Sequence, residues 1–309
     1  MGSLHPPLQP GPSARRAWRP SPLIRGSVAL HVGAAGLALV RPDLWPWALS
    51  AVVADHLALT AAGLWPRSHL LGPNWTHLPA AGGVPMRTSP APPFAGEAAE
   101  PAIAITIDDG PDPEVTPRVL DLLDEHHAAA TFFCIGERVA RHPALARAIV
   151  ERRHEIGNHS HRHTMRFSLL GPRGLAQEVA GAQQVICAAT GEVPRFFRAP
   201  AGLRNPFLEP VLARADLLLA SWTRRGFDTL NGSAEVVLGR LTRHLAAGDI
   251  LLLHDGHAAR TPSGTPVILE VLPRLLRALT AARLAPITLR AALAQSLAAP
   301  AQASLPGAP

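Results

Sequence analysis

Two adjacent carboxylates, Asp108-Asp109, two imidazoles four residues apart, His159 and His163, and a further acid–base pair, His254-Asp255, are the side chains whose types and spacing could do chemistry. An i, i+4 pair of histidines on one helical turn points the same way and can share a metal ion. Adding Asp109 gives two imidazoles and one carboxylate, the ligand count of a catalytic zinc site that keeps a position open for water. Asp108 then sits beside the metal, able to take a proton from that water, and His254 can deliver a proton to a leaving group. Metal, base and acid together describe hydrolysis of a carbonyl compound. The histidine pair alone weighs little, because 15 histidines in 309 residues give about one such pair by chance. The combination carries the reading.

Stepping along the chain, short apolar runs recur at residues 102–107, 131–135, 155–157, 195–197, 217–221, 250–253 and 285–287. Helical patterns at 115–127, 144–153, 174–190, 234–246 and 266–282 lie between most of them. The alternation predicts a parallel sheet covered by helices, open or closed into a barrel. Asp108-Asp109 follow the first run, His159 and His163 the third, Arg198 the fourth, Trp222 the fifth and His254-Asp255 the sixth. Each falls just past the carboxyl end of a strand, where such sheets build their active sites.

Taken in order, Thr106-Ile107-Asp108-Asp109-Gly110-Pro111, His159-Ser160-His161-Arg162-His163, Arg198-Ala199-Pro200-Ala201-Gly202, the stretch from Trp222 to Asp228, and Leu252-Leu253-His254-Asp255 resemble the five motifs of the polysaccharide deacetylases. This is the NodB-homology family, or carbohydrate esterase family four, and the resemblance covers residues 101–290. It implies a distorted (β/α) barrel of seven to eight strands and metal-dependent removal of N-acyl groups from amino sugars, releasing acetate and a free amine. It implies Asp108 as catalytic base, oriented by Arg198, and His254 as general acid, tuned by Asp228. Asp109, His159 and His163 become ligands of a divalent metal, zinc first, with cobalt or manganese as alternatives. Leu252 becomes the wall around the acyl methyl, Trp222 a further substrate contact, and the backbone N–H of Ala201 a donor to the oxyanion. Ala201 and Thr229 stand where the family often has an aromatic residue and a tryptophan. Both changes take apolar surface from the sugar groove, so a long crystalline polysaccharide is the weaker expectation.

Composition fits an anchored enzyme. The net charge of +6 would point to nucleic acid, but seven of the 29 arginines and only two of the 23 acids fall in residues 1–96, leaving 22 against 21 in the remainder. A nearly neutral barrel is no phosphate-backbone binder. Cys134 and Cys187, without C-x-x-C spacing, read as small buried hydrophobes. Residues 1–22 are rich in Pro, Gly, Ser and Arg and read as a disordered basic start; 23–66 hold two apolar runs broken at Arg41-Pro42-Asp43; 67–100 read as a Pro/Gly/Ala-rich linker; 101–297 are the catalytic domain, and 298–309 a disordered tail. Each apolar run approaches the roughly 20 residues needed to span a bilayer. Trp45, Trp47 and Trp65 sit at the run ends, where an aromatic belt places them. A cleaved signal peptide is disfavoured by the second run and by the lack of a small-x-small site. Asp55-His56 favours a soluble hairpin, since a mid-membrane Asp costs roughly 2.5–3.5 kcal/mol on insertion scales; in a span the pair should face the partner helix.

The expectation is a deacetylase anchored in a bacterial-type inner membrane, acting on an N-acylated glycan or a lipid-linked saccharide. Arg15, Arg16, Arg19 and Arg25 before the first run place the N-terminus in the cytoplasm, and two spans return the barrel there; a single span puts it in the periplasm or outside. Arg224-Arg225 then read as phosphate contacts at the barrel mouth. A deformylase of a lipid-linked amino sugar shares all this chemistry. A non-catalytic carbohydrate-binding protein is the third reading, set aside because no ligand or acid is missing.

Overall fold

The computed structural model describes residues 17–79 and 101–302, so most of the basic start, most of the expected linker and the end of the tail lie outside it. Ser21 caps the first helix, α1 (Pro22–Val40): its hydroxyl accepts from the Ile24 N–H at 3.3 Å, and Pro22 needs no partner for an N–H it lacks. A single turn, Pro42–Leu44, leads into α2 (Trp45–Leu64). The two pack as a hairpin. Ser27 Oγ donates to Asp55 Oδ2 at 2.7 Å, and the His31 and His56 rings meet edge-to-face at 5.1 Å, so Asp55 does turn to the partner helix. By length and composition, residues 22–40 and 42–64 are each able to cross a membrane.

The barrel elements follow as β1 (Ala102–Asp108), α3 (Thr116–Glu125), β2 (Ala130–Cys134), α4 (Gly136–Arg141), α5 (Pro143–Glu151), β3 (Glu155–Asn158), α6 (Pro172–Thr190), β4 (Phe196–Phe197), α7 (Leu208–Arg214), β5 (Leu218–Leu219), β6 (Arg224–Arg225), α8 (Ala234–Thr242), β7 (Ile250–His254), α9 (Val267–Ala281), β8 (Ala285–Pro286) and α10 (Leu289–Gln302). Every strand pair is parallel, in the order β5-β4-β3-β2-β1-β7-β6, with β8 beside the start of β1. This is the expected distorted (β/α) barrel, curled but open between β5 and β6. β6 escapes sequence reading because two charged residues make no apolar run. The last helix continues through Gln302, into the stretch expected to be a tail.

Alternation along the strands sorts the core into two layers. Ile103, Ile105 and Ile107 of β1 and Leu251 and Leu253 of β7 face outward, packing under α3, α8 and the leucine-rich face of α9. Ala104, Ile250, Leu252 and Phe133 face inward with Phe196 and Trp222. The same alternation aims Thr106, Asp108 and His254 into the interior, with Asp108 in register between Phe133 and His254. Cys134 and Cys187 are both free.

The first part of the stretch read as a linker is built into the barrel. Ser221 N donates to Trp75 O and Trp75 N to Leu219 O, both at 2.8 Å, on the β5 edge. Thr223 Oγ1 donates to Thr76 O at 2.7 Å and Leu78 N to Gly248 O at 2.9 Å, on the β6–β7 edge. Residues 75–78 therefore fill the seam that the sheet leaves open, and the Trp75 ring packs edge-on to Phe196 at 5.0 Å. Residues 66–74 fold over the upper end: Pro66 O accepts from Ser221 Oγ at 2.7 Å and from Asn74 Nδ2 at 2.9 Å.

Candidate active site and metal centre

The ten residues given metal, acid–base and acyl-group roles in the sequence gather toward one end of the barrel. β1 delivers Asp108 and, at its exit, Asp109, whose φ of 75° is a left-handed conformation that an aspartate holds only when its surroundings fix it. Next to it Gly110 is obligatory in another sense, because a Cβ there would strike the Asp255 carboxylate. Asp255 in turn accepts from Thr116 Oγ1 and, at 2.9 Å, from Gly256 N; burial pushes its carboxyl up to about 7.

The second motif departs from its expected geometry. Residues 159–163 form a bend after β3, without helical hydrogen bonding, and Ser160 and His163 have φ of 65° and 52°. The histidines converge because the loop is pinned at several points. Ser160 N donates to Asn158 Oδ1 and His163 N to Ser160 Oγ, both at 3.0 Å. The buried Glu178 on α6 accepts from His161 N, Arg162 N and Arg162 Nε at 2.6–3.1 Å. His159 donates its Nδ1–H to the Arg198 carbonyl at 2.8 Å, which leaves Nε2 bare and aimed inward.

Asp109 Oδ1 lies 3.4 Å from His159 Nε2 and 3.2 Å from His163 Nε2. It is buried and has no hydrogen-bond partner, although burying an unpaired carboxylate oxygen is costly. Two bare imidazole nitrogens and one orphaned carboxylate oxygen, within 4.8 Å of one another, are the donor set of a divalent cation, so these three residues fit a metal ion. Burial and the neighbouring His159 lower His163 to about 4, which keeps its ring neutral, as a ligand must be.

Asp108 is held differently. Arg198, wholly buried, spends its guanidinium on four partners: Asp108 Oδ1, Thr106 Oγ1 and Ser221 O at 2.7 Å, and Ala220 O at 3.1 Å. It also stacks over Phe133, 4.1 Å from the ring centre. One carboxylate oxygen is thereby fixed, and the other, Oδ2, faces the metal triad 3.7 Å from His159 Nε2. On the opposite wall His254 donates its Nδ1–H to Asp228 Oδ1 at 2.8 Å, and its backbone N–H reaches Asp228 Oδ2 at 2.7 Å. Burial alone would lower the His254 pKa; the Asp228 charge outweighs it and raises the imidazole above its ordinary value. Leu252 and Trp222 are buried below this level, while Ala201 stands exposed at the rim with a φ of 54°.

One residue that the sequence did not mark also joins the site. His257 donates its Nδ1–H to Asp109 Oδ2 at 3.2 Å and accepts at Nε2 from Arg138 Nη2 at 3.0 Å. Only its place three residues past His254 could have drawn notice. The expected phosphate contact at Arg224 is overturned: that guanidinium is bound to Asp249 Oδ2 at 2.5 Å and to the carbonyls of Arg243 and His244, away from the mouth. Arg225 lies over the Trp222 and Phe227 rings.

A family profile described as polysaccharide deacetylase matches residues 95–219. The chain is 36% identical over 178 residues to a peptidoglycan-N-acetylglucosamine deacetylase of Bacillus cereus, covering 57% of this chain and 82% of that one. It is 35% identical over 157 residues to a chitooligosaccharide deacetylase of Bradyrhizobium, covering 50% and 71%. Among solved structures, a family 4 carbohydrate esterase from Streptomyces lividans in complex with acetate aligns with a TM-score of 0.56 and 30% identity, over 61% of this chain and 93% of that one. With the barrel and the ordered motifs, these likenesses establish that the chain belongs to the polysaccharide deacetylase family and is a hydrolase of carbon–nitrogen bonds outside peptides.

Proposed function

We propose that the protein is a metal-dependent N-deacetylase of amino sugars, presented in a glycan or a lipid-linked saccharide and reached from a membrane anchor formed by α1 and α2. The observation that carries this is the orphaned, buried Asp109 Oδ1 facing two bare imidazole nitrogens, next to a base and an acid each held by a dedicated partner. A divalent cation on Asp109, His159 and His163, zinc first, would polarise the amide carbonyl and lower the pKa of the attacking water.

The chain's own residues supply the proton traffic. Asp108, with Oδ1 tied to Arg198, has Oδ2 left to accept the water proton as the C–O bond forms. Asp228 holds His254 in the tautomer with Nδ1–H inward, so the proton it can give lies on Nε2, and the raised pKa keeps that proton available near neutrality. Passing it to the amide nitrogen as the C–N bond breaks expels an amine instead of an amide anion. Leu252, which packs with Trp222 in the inner layer of the core, would wall the acyl methyl. An acetyl group fits this reading, and a formyl group shares its chemistry. Purified protein should release acetate from triacetylchitotriose, lose that activity in chelator and regain it with zinc, cobalt or manganese; release that survives rigorous chelation would refute the metal.

A further inference from the structure

The end of α2 is fastened to the loops of the active-site mouth. Arg204, just past the Arg198–Gly202 motif, donates its backbone N–H to Gly63 O at 3.2 Å, and its guanidinium reaches Ser68 O. A Cβ on Gly63 would collide with the Arg204 carbonyl, and one on Gly202 would press on Pro66 and Trp222. Ser21, the cap of α1, donates to Leu70 O at 2.6 Å, and Arg67 Nη1 donates to Thr223 O at 3.1 Å. The hairpin is therefore no loose tether: it leaves the barrel from the mouth, at a fixed place.

A second observation is independent of these bonds. Large apolar side chains are exposed on the loops that leave the upper ends of β3, β4 and β6: Met165 is 87% exposed, Leu169 80%, Phe207 50% and Leu230 82%. Asn205 Nδ2 ties two of these loops together through Ser168 O and Leu170 O, at 2.9 and 2.8 Å, which sets Leu169 near Phe207. Trp65, 61% exposed, follows the end of α2 two residues after Gly63, whose carbonyl is bound by Arg204 of the β4 loop. Arg162, Arg166 and Arg173 lie exposed in or next to the Met165–Leu169 loop. Apolar side chains interleaved with arginines, with one of their loops bound to a helix end able to sit in a bilayer, are the composition of a membrane-interface surface.

We propose that the mouth face of the barrel rests on the bilayer, and that the site takes its N-acyl amino sugar from a lipid-anchored saccharide whose tail stays in the membrane. This rests on the deacetylase reading above and narrows its substrate. A sugar held by a membrane lipid needs only to rise into the mouth, whereas a long free glycan must slide between the barrel rim and the lipid headgroups.

The test uses the full-length protein in nanodiscs of phosphatidylethanolamine and phosphatidylglycerol, in a Cys134→Ala, Cys187→Ala background. A fluorophore on Leu169→Cys or Leu230→Cys should be quenched about twofold by brominated lipid, and one on Leu297→Cys, which is 70% exposed on α10, should not. Labels at 169 and 230 as wet as at 297, or shielded from water but unquenched because a protein partner covers them, overturn the proposal. In the same discs, Leu169→Glu with Leu230→Glu should slow deacetylation of a polyprenyl-diphosphate N-acetylglucosamine about tenfold and leave soluble triacetylchitotriose unchanged. Hydrolysis of triacetylchitotriose but not of the polyprenyl sugar overturns the membrane-held substrate and leaves the deacetylase reading intact; hydrolysis of neither overturns both.

Discussion

Replacing Asp228 by Asn keeps the side chain's size and removes its charge at a position with no exposed surface. Two consequences follow from the geometry. Asp228 now accepts two hydrogen bonds, from His254 Nδ1 at 2.8 Å and from His254 N at 2.7 Å; an amide offers one oxygen, and its NH2 must confront the other donor. The imidazolium also loses its countercharge. For charge centres about 4 Å apart at an effective dielectric constant of about 20, that attraction is about 4 kcal/mol as an upper limit. The sign is fixed by the direction of the shift. In the native protein the charge holds the pKa of His254 above its ordinary value, so the acid stays protonated as pH rises; without it, burial lowers the pKa and the proton is lost earlier. The alkaline limb of kcat/KM against pH should move to lower pH, with a loss at neutral pH that is partly restored in acid. Metal content, measured by plasma emission, should not change. A uniformly reduced profile whose alkaline limb stays in place would refute His254 as the proton donor.

Asp108→Asn should keep its metal while kcat falls on the order of 10²–10⁴-fold, and loss of metal would mean that the two aspartates exchange roles. Gly63→Val should destabilise the contact between α2 and the mouth loops by about 1–3 kcal/mol, read as a lower thermal midpoint of the barrel, because the new side chain meets backbone and not a movable side chain. For topology, Ser304→Cys in a background without the native cysteines should react with a membrane-impermeant thiol reagent only after lysis of spheroplasts if both helices span and the N-terminus is cytoplasmic; labelling of intact spheroplasts places the barrel outside.

The mouth of the barrel was legible because each apolar run ends where a reactive side chain begins, as at Ile107 before Asp108 and Leu253 before His254; the inward turn of Thr106 and Asp108 follows from Ile103, Ile105 and Ile107 facing the helices. The histidine pair was found for a reason that does not hold. Its i, i+4 spacing suggested a helical turn, whereas a bend pinned by Glu178 brings His159 and His163 together, and a carboxylate 15 residues beyond His163 leaves no local signature. Residues 66–78 read as a linker because they have no period; isolated bridges and side-chain bonds to carbonyls hold them, and those depend on partners about 150 residues away. His257 was invisible for the same reason.

The filled seam also orders events during synthesis. Trp75 is made about 145 residues before Ala220, with which it pairs, and Arg67 precedes Thr223 by 156. At ribosomal speed that gap lasts on the order of ten seconds, long enough for the hairpin to reach a membrane before β5 and β6 exist. The barrel thus closes late, and if α1 and α2 enter a membrane its last long-range contacts form around a stretch already held there. A chain begun at Pro101 would have both sheet edges and no stretch to join them, leaving Phe196, Trp222 and Ala220 facing an open slot, a surface on which unfinished barrels associate with one another.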